Sequence, residues 1–262
     1  MIPSLTAVHF HRFMTSGRTS PALFGCEDAE GNSAGDYVVK LLGGMERGHE
    51  AMQCEWIASG LANYFGIHAP EPALVVIEQD LAHLIAESQP SRAGLIRGSI
   101  GLNFATRQLN EVTIWPVDRN ITEKMWPSAV NIFAFDALIQ NVDRRAINPN
   151  LFARGEDLIV YDHELAFSFL QNILPSDTPW VLSTGHPYLS EHVFYRKLKA
   201  KPIDLNDFTF RLHGLAANEL ESIMATAPPE WNNGCLQRID EHLRAVSTHT
   251  DEFAEEVRKR LA

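Results

Sequence analysis

One stretch, NVDRRAINPNLFARGEDLIVYDHELAF at residues 141–167, constrains this chain more than any other. Asp143 is followed five residues later by Asn148, and Asp162 lies beyond a segment that reads as a short β-hairpin. A tight loop can aim Asp143 and Asn148 at one ligand, and an Asp at the end of the apolar run LIVY can join them. That set of oxygen donors suits phosphoryl transfer. The chemistry needs a carboxylate to orient the attacking hydroxyl and take its proton. It also needs oxygen ligands for Mg2+. The same residue types are turn formers, and Asn150 in NPN reads as a turn residue.

Two residues upstream fit the same chemistry. Lys40 interrupts the β-like run YVVKLL, where a buried ammonium requires a counter-charge or a phosphate. Glu55 falls on a predicted helix over residues 46–65, with small neighbours at Ala51, Ala58 and Ser59. A strand Lys paired with a helix Glu positions ATP phosphates in kinases. The alternative is a Lys on an edge strand and a Glu on an ordinary helix surface. Residues 15–21, TSGRTSP, could bring backbone N–H groups of Ser16 and Gly17 close to phosphates, or could form an ordinary turn. Neither this segment nor GGMERGHE has the GK[ST] ending of a Walker loop.

Beyond these sites, strands are expected at residues 73–78 and 83–88, and helices at 127–140, 219–227 and 236–261. The expected plan is α+β and bilobal, protein-kinase-like, with a β-rich N-lobe at residues 1–90 and a mostly helical C-lobe at 91–262. A net charge of −11, from 33 acidic and 22 basic residues, argues against a dedicated nucleic-acid binder. The three cysteines form no CxxC and fit a reducing cytoplasm. No signal peptide or membrane-spanning segment is expected. The absence of GxSxG counts against an α/β-hydrolase.

YVVKLL with Glu55, then FDALIQNVDRRAINPNLF and LIVYDHELAF, resemble the HipA-like kinases. The similarity is strongest to short stand-alone bacterial members and is faintly shared with phosphoinositide-lipid kinases. The resemblance implies that Asp143 is the catalytic Asp, that Asn148 and Asp162 bind Mg2+, and that Lys40, held by Glu55, contacts the phosphates of ATP. It implies self-phosphorylation at Ser16, Thr19 or Ser20. It also implies a protein substrate, a toxin or regulatory role, and an antitoxin or regulatory partner. The chain departs from the family pattern at Arg145, where His is usual, and in lacking an extra N-terminal subdomain. Adenine is expected against backbone groups near residues 86–89. The alternatives are a non-catalytic kinase-fold module that binds nucleotide or protein, and a lipid or small-molecule kinase.

Overall fold

The computed structural model describes residues 4–15, 19–116, 118–174, 176–182 and 186–262. Ser16 and Gly17 therefore lie outside the described residues. The chain is mixed α and β and forms two compact units. The first comprises Met1–Trp56, Pro70–Asn110 and Pro228–Asn232, and the second comprises Ile57–Ala69, Glu111–Ala227 and Asn233–Ala262.

The first unit is a closed five-stranded barrel in the order β1-β2-β3-β5-β4. Its strands are β1 (Ser4–Phe13), β2 (Ala22–Glu27), β3 (Ser33–Val39), β4 (Pro72–Ile77) and β5 (Gly101–Arg107). β1 pairs in parallel with β4 to close it, and the other pairings are antiparallel. Inward side chains, among them Phe24, Tyr37, Val39, Val75, Ile77 and Ala105, build the core. A polar turn joins β2 to β3. Asp28 accepts from the backbone N–H of Asn32 at 2.8 Å, and Gly31 takes the left-handed φ of +78° that the turn requires.

Helix α1 (His49–Tyr64) ends just ahead of Gly66. Gly66 has φ +69°, and Ile67 donates back to the carbonyl of Ala62 at 2.8 Å. The tail segment Pro228–Asn232 joins the first unit because Trp231 packs edge-on against Trp56, ring centroids 6.5 Å apart.

One expectation is corrected here. Residues 83–88 are not a strand but part of helix α2 (Gln79–Ser88). Its buried residues Ala82, Ile85 and Ala86 repeat at three and four positions and pack onto the barrel core. The helix closes at its C-terminal end with Gln89 N–H bonded to the Ile85 carbonyl at 2.8 Å. The barrel also continues past residue 90. After α3 (Ala93–Arg97), β5 supplies its fifth strand, so the first unit runs to Asn110. β5 is hard to see because a polar residue, Asn103, lies buried in its middle. The amide of Asn103 accepts from Leu42 N–H at 3.0 Å and donates to the carbonyls of Ser99 and Gly101 at 2.8 and 2.9 Å.

The second unit carries a three-stranded antiparallel sheet and most of the helices. Its strands are β6 (Thr113–Ile114), β7 (Leu151–Arg154) and β8 (Asp157–Val160), in that order. β7 and β8 are the expected hairpin, turned at Gly155 with φ +58°. Helix α4 (Trp126–Leu138) is mostly apolar and is buried from Ile132 to Leu138. α5 (Tyr195–Leu198), α6 (Asn206–Gly214) and α7 (Leu220–Ala225) follow, with a π-turn at Leu215–Glu219 ahead of α7. The single long helix expected at 236–261 is two, α8 (Cys235–Thr248) and α9 (Thr250–Leu261). The break at His249 has no Gly or Pro to announce it. Its ring stacks flat on Trp180 at 3.5 Å, and Thr250 donates its hydroxyl to the carbonyl of Ser247. Among the described residues no helix is long and apolar enough to cross a membrane. Cys26, Cys54 and Cys235 are buried and form no disulfide.

Candidate active site

An Asp inside an apolar helix has to be paired, and Asp136 in α4 has no exposed surface. Its Oδ2 receives Arg144 Nε at 2.6 Å and the ring of His192 at 2.9 Å. Its Oδ1 receives the side-chain amide of Asn141 at 2.9 Å. Burial pushes the Asp136 carboxyl up, but Arg144 and the His192 hydrogen bond outweigh it and hold the group down at about 2. His192 takes a backbone N–H from Phe194 on Nδ1 at 3.1 Å, so its proton must sit on Nε2, facing Asp136. Burial pushes the His192 pKa down, against the Asp136 hydrogen bond, and keeps the ring neutral.

Arg144 is fully buried and spends its donors on four partners. Besides Asp136 it donates to the carbonyl of Asn150, to the carbonyl of Tyr161 at 3.2 Å and to His163 Nε2 at 3.0 Å. A guanidinium only donates, so His163 accepts on Nε2. The Asn150 carbonyl also takes the backbone N–H of Tyr161 at 3.2 Å. One buried cation therefore ties the loop that carries Asp143 to the end of the hairpin that carries Asp162. Sequence reading missed both Arg144 and Asp136. The available signal was the charge in FAFDAL, with no partner on its own helix.

Asp143 is pinned from several sides. Its Oδ2 accepts from Asn148 Nδ2 at 2.7 Å and from Asn150 Nδ2 at 2.9 Å. Its Oδ1 receives Arg145 Nη2 at 3.3 Å, and its own N–H reaches Asn141 Oδ1 at 3.2 Å. Asn150, read from sequence as a turn residue, does adopt φ +42°, but it is also buried and holds the carboxylate. The amide nitrogen of Asn148 faces Asp143, which leaves its oxygen as the atom able to meet a cation. Asp162 has φ +62°, a conformation that Asp tolerates better than most residues. A carboxylate oxygen of Asp162 and one of Glu164 lie within 4.8 Å of each other. Glu164 is a second acidic group that sequence reading passed over. With the Asn148 oxygen, these all-oxygen donors fit Mg2+ chemically.

In the first unit, Lys40 stands one residue past the end of β3, its N–H still bonded to the carbonyl of Phe104 at 2.9 Å. Its ammonium forms a salt bridge with Glu55, and the two side chains are 12% and 2% exposed. Near the start of β2, Thr19 is buried, and the Ser20 hydroxyl accepts from Arg92. Arg92 in turn lies over the ring of Phe13, 5.4 Å from its centroid.

The family comparison places this chain among kinase-type phosphotransferases. Residues 7–258 match the model of the HipA-like kinases. The chain belongs to the HipA-like kinase family. Among solved structures, that of a Helicobacter pylori proinflammatory kinase, CtkA, superposes with a TM-score of 0.56. The match covers 98% of this chain and 99% of that one at 12% identity, a level at which the likeness is one of fold. No curated protein sequence matches the chain.

Proposed function

We propose that this protein is an ATP- and Mg2+-dependent kinase that phosphorylates a Ser or Thr of a protein. The observation that carries the reading is the preset Asp143. Two amides fix its Oδ2, and Arg144 anchors the loop from below. A carboxylate held this way can orient an acceptor hydroxyl and take its proton. Lys40, held by Glu55, contacts the ATP phosphates in this reading. Asn148 and Asp162 hold Mg2+, with Glu164 beside them. Bound Mg2+ neutralises charge on the β- and γ-phosphates.

The bilobal plan belongs to the same proposal, with the β-rich lobe extended from residue 90 to Asn110. The backbone at Ser16 and Gly17 would cover the phosphates. A toxin or regulatory role, self-phosphorylation and an antitoxin partner rest on family membership alone. A cytoplasmic location fits three buried thiols outside any disulfide.

The test is transfer of labelled γ-phosphate from ATP to casein and to the protein itself, with Mg2+ and with EDTA. Transfer should need Mg2+ and should fall at least about 10²-fold in Asp143→Asn and Asp162→Ala. Undiminished transfer in either variant would refute the assignment. Tight nucleotide binding by calorimetry with no transfer to any acceptor would favour a non-catalytic module instead.

A further inference from the structure

We infer that Arg145 is a positioning residue that covers the proton-accepting oxygen of Asp143, and that Glu191 is the carboxylate to which it withdraws when an acceptor hydroxyl binds. This rests on the kinase reading above.

Asp143 has two oxygens. Oδ2 is taken by Asn148 and Asn150. A hydroxyl must therefore bind at Oδ1, and Arg145 Nη2 stands there at 3.3 Å. The other terminal nitrogen of Arg145 lies 3.8 Å from Glu191 Oε2. Seated charge-assisted hydrogen bonds are about 2.7–2.9 Å long. The guanidinium is shared between two carboxylates and seated on neither.

Its backbone, in contrast, is fixed. Arg145 N–H donates to the carbonyls of Asp143 at 2.8 Å and Asn148 at 3.0 Å. The N–H of Ala146 donates to the carbonyl of Glu191 at 3.0 Å, which keeps Glu191 alongside the loop. The side chain can swing while the loop stays in place. The buried Nε of Arg145 has no hydrogen-bond partner where it now sits, so this position leaves a donor unsatisfied. Oδ1 is therefore uncovered by movement of the guanidinium. Glu191, 65% exposed, is placed to receive the charge.

Once Oδ1 is clear, the hydroxyl proton passes to it. The hydroxyl oxygen forms its bond to the γ-phosphorus, and the bond from that phosphorus to the leaving oxygen breaks, its electron pair departing on ADP.

The experiment is a double-mutant cycle of Glu191→Gln and Arg145→Gln. It follows phosphate release from Mg2+-ATP with water as acceptor, transfer to casein, and ATP affinity by calorimetry. Glu191→Gln should lower kcat about threefold, as befits an exposed charge pair, with ATP affinity unchanged. The same substitution should have no effect in the Arg145→Gln background. An unchanged kcat in Glu191→Gln, or an equal fall in both backgrounds, overturns the proposal while leaving the kinase reading intact. Wild-type protein that binds ATP but transfers to neither acceptor overturns the kinase reading, and this proposal with it.

Discussion

Arg144 Nε lies 2.6 Å from Asp136 Oδ2, and neither side chain has any exposed surface. The pair sits beneath the loop that presents Asp143, joined to it through Asn141, whose amide bonds Asp136 and whose oxygen takes Asp143 N–H. Its structural worth is large because each charge alone would be buried and uncompensated. Asp136→Ala or Arg144→Met should cost about 3–5 kcal/mol in urea unfolding. The double variant should cost less than the two single losses added together. Strict additivity would mean that the pair does not act as a unit.

Three buried groups set a pH dependence of one sign in successive windows. Burial pushes His242 from 6.5 down to about 4, against its hydrogen bond to the Leu138 carbonyl. Between those values the unfolded chain binds a proton that the folded chain refuses. Stability therefore falls as pH drops from 6.5 toward 4, by up to about 3 kcal/mol. His192, also lowered, adds to this upper window. Asp136, held at about 2 against an ordinary 3.8, adds a further loss as pH falls through that lower range. Urea midpoints at pH 7, 6 and 5 should trace the upper slope. His242→Gln, which keeps a donor for Leu138, should flatten it.

Asn150 should matter to turnover more than its place in a turn suggests. Asn150→Ala removes one of two amides from Asp143 Oδ2. A loosened base of this kind should cost turnover about 10²-fold, with nucleotide affinity little changed. Asp143→Asn should cost about 10²- to 10⁴-fold. Single-turnover labelling distinguishes both from a binding defect. An Asn150→Ala enzyme with normal kcat would mean that Asn148 suffices to hold the carboxylate.

Lys40→Met should destabilise the first unit as well as weaken nucleotide binding, because Glu55 would be left buried without this ammonium. A loss of about 3 kcal/mol is expected. Lys40→Met with Glu55→Leu should recover much of that stability while recovering no nucleotide affinity. Calorimetry beside urea unfolding separates the two effects.

Glycine positions offer a paired test in the barrel unit. A Cβ added at Gly43 would meet the carbonyl oxygen of Leu95 at 2.4 Å, a clash with backbone that cannot step aside. Gly43→Ala should cost about 1–3 kcal/mol. At Gly94 a Cβ meets nothing within 4 Å, so Gly94→Ala should be neutral or stabilise by up to about 1 kcal/mol. Thermal midpoints of the two variants should move in different directions or by clearly different amounts.

The parts of the site readable in sequence are those with local spacing. Asp143, Asn148 and Asp162 fall within one loop and hairpin, and Lys40 and Glu55 are charges in runs too apolar to leave them alone. The rest depends on packing. Arg144 and Arg145 are adjacent and identical in type, yet one is wholly buried and the other 36% exposed. Which of them turns inward depends on Asp136 eight residues earlier, and on Tyr161 and His163 beyond the hairpin. β5 was obscured by Asn103, whose amide bonds backbone groups of Leu42, Ser99 and Gly101 that sequence gives no reason to bring together. Helix α2 was mistaken for a strand because in a stretch this short the apolar residues fit either period.

The parallel pairing of β1 with β4 also has a cost during synthesis. Ser4 pairs with Leu74, and Thr6 with Val76, seventy positions later in each case. At about 5–20 residues per second on the ribosome, β1 waits several seconds for β4 after its other neighbour, β2, has been made. An open strand edge is a template for pairing with other chains. Within the barrel the strand made earliest is among the last to be sealed, so the yield of folded protein should depend on how fast the chain is translated from β1 to β4.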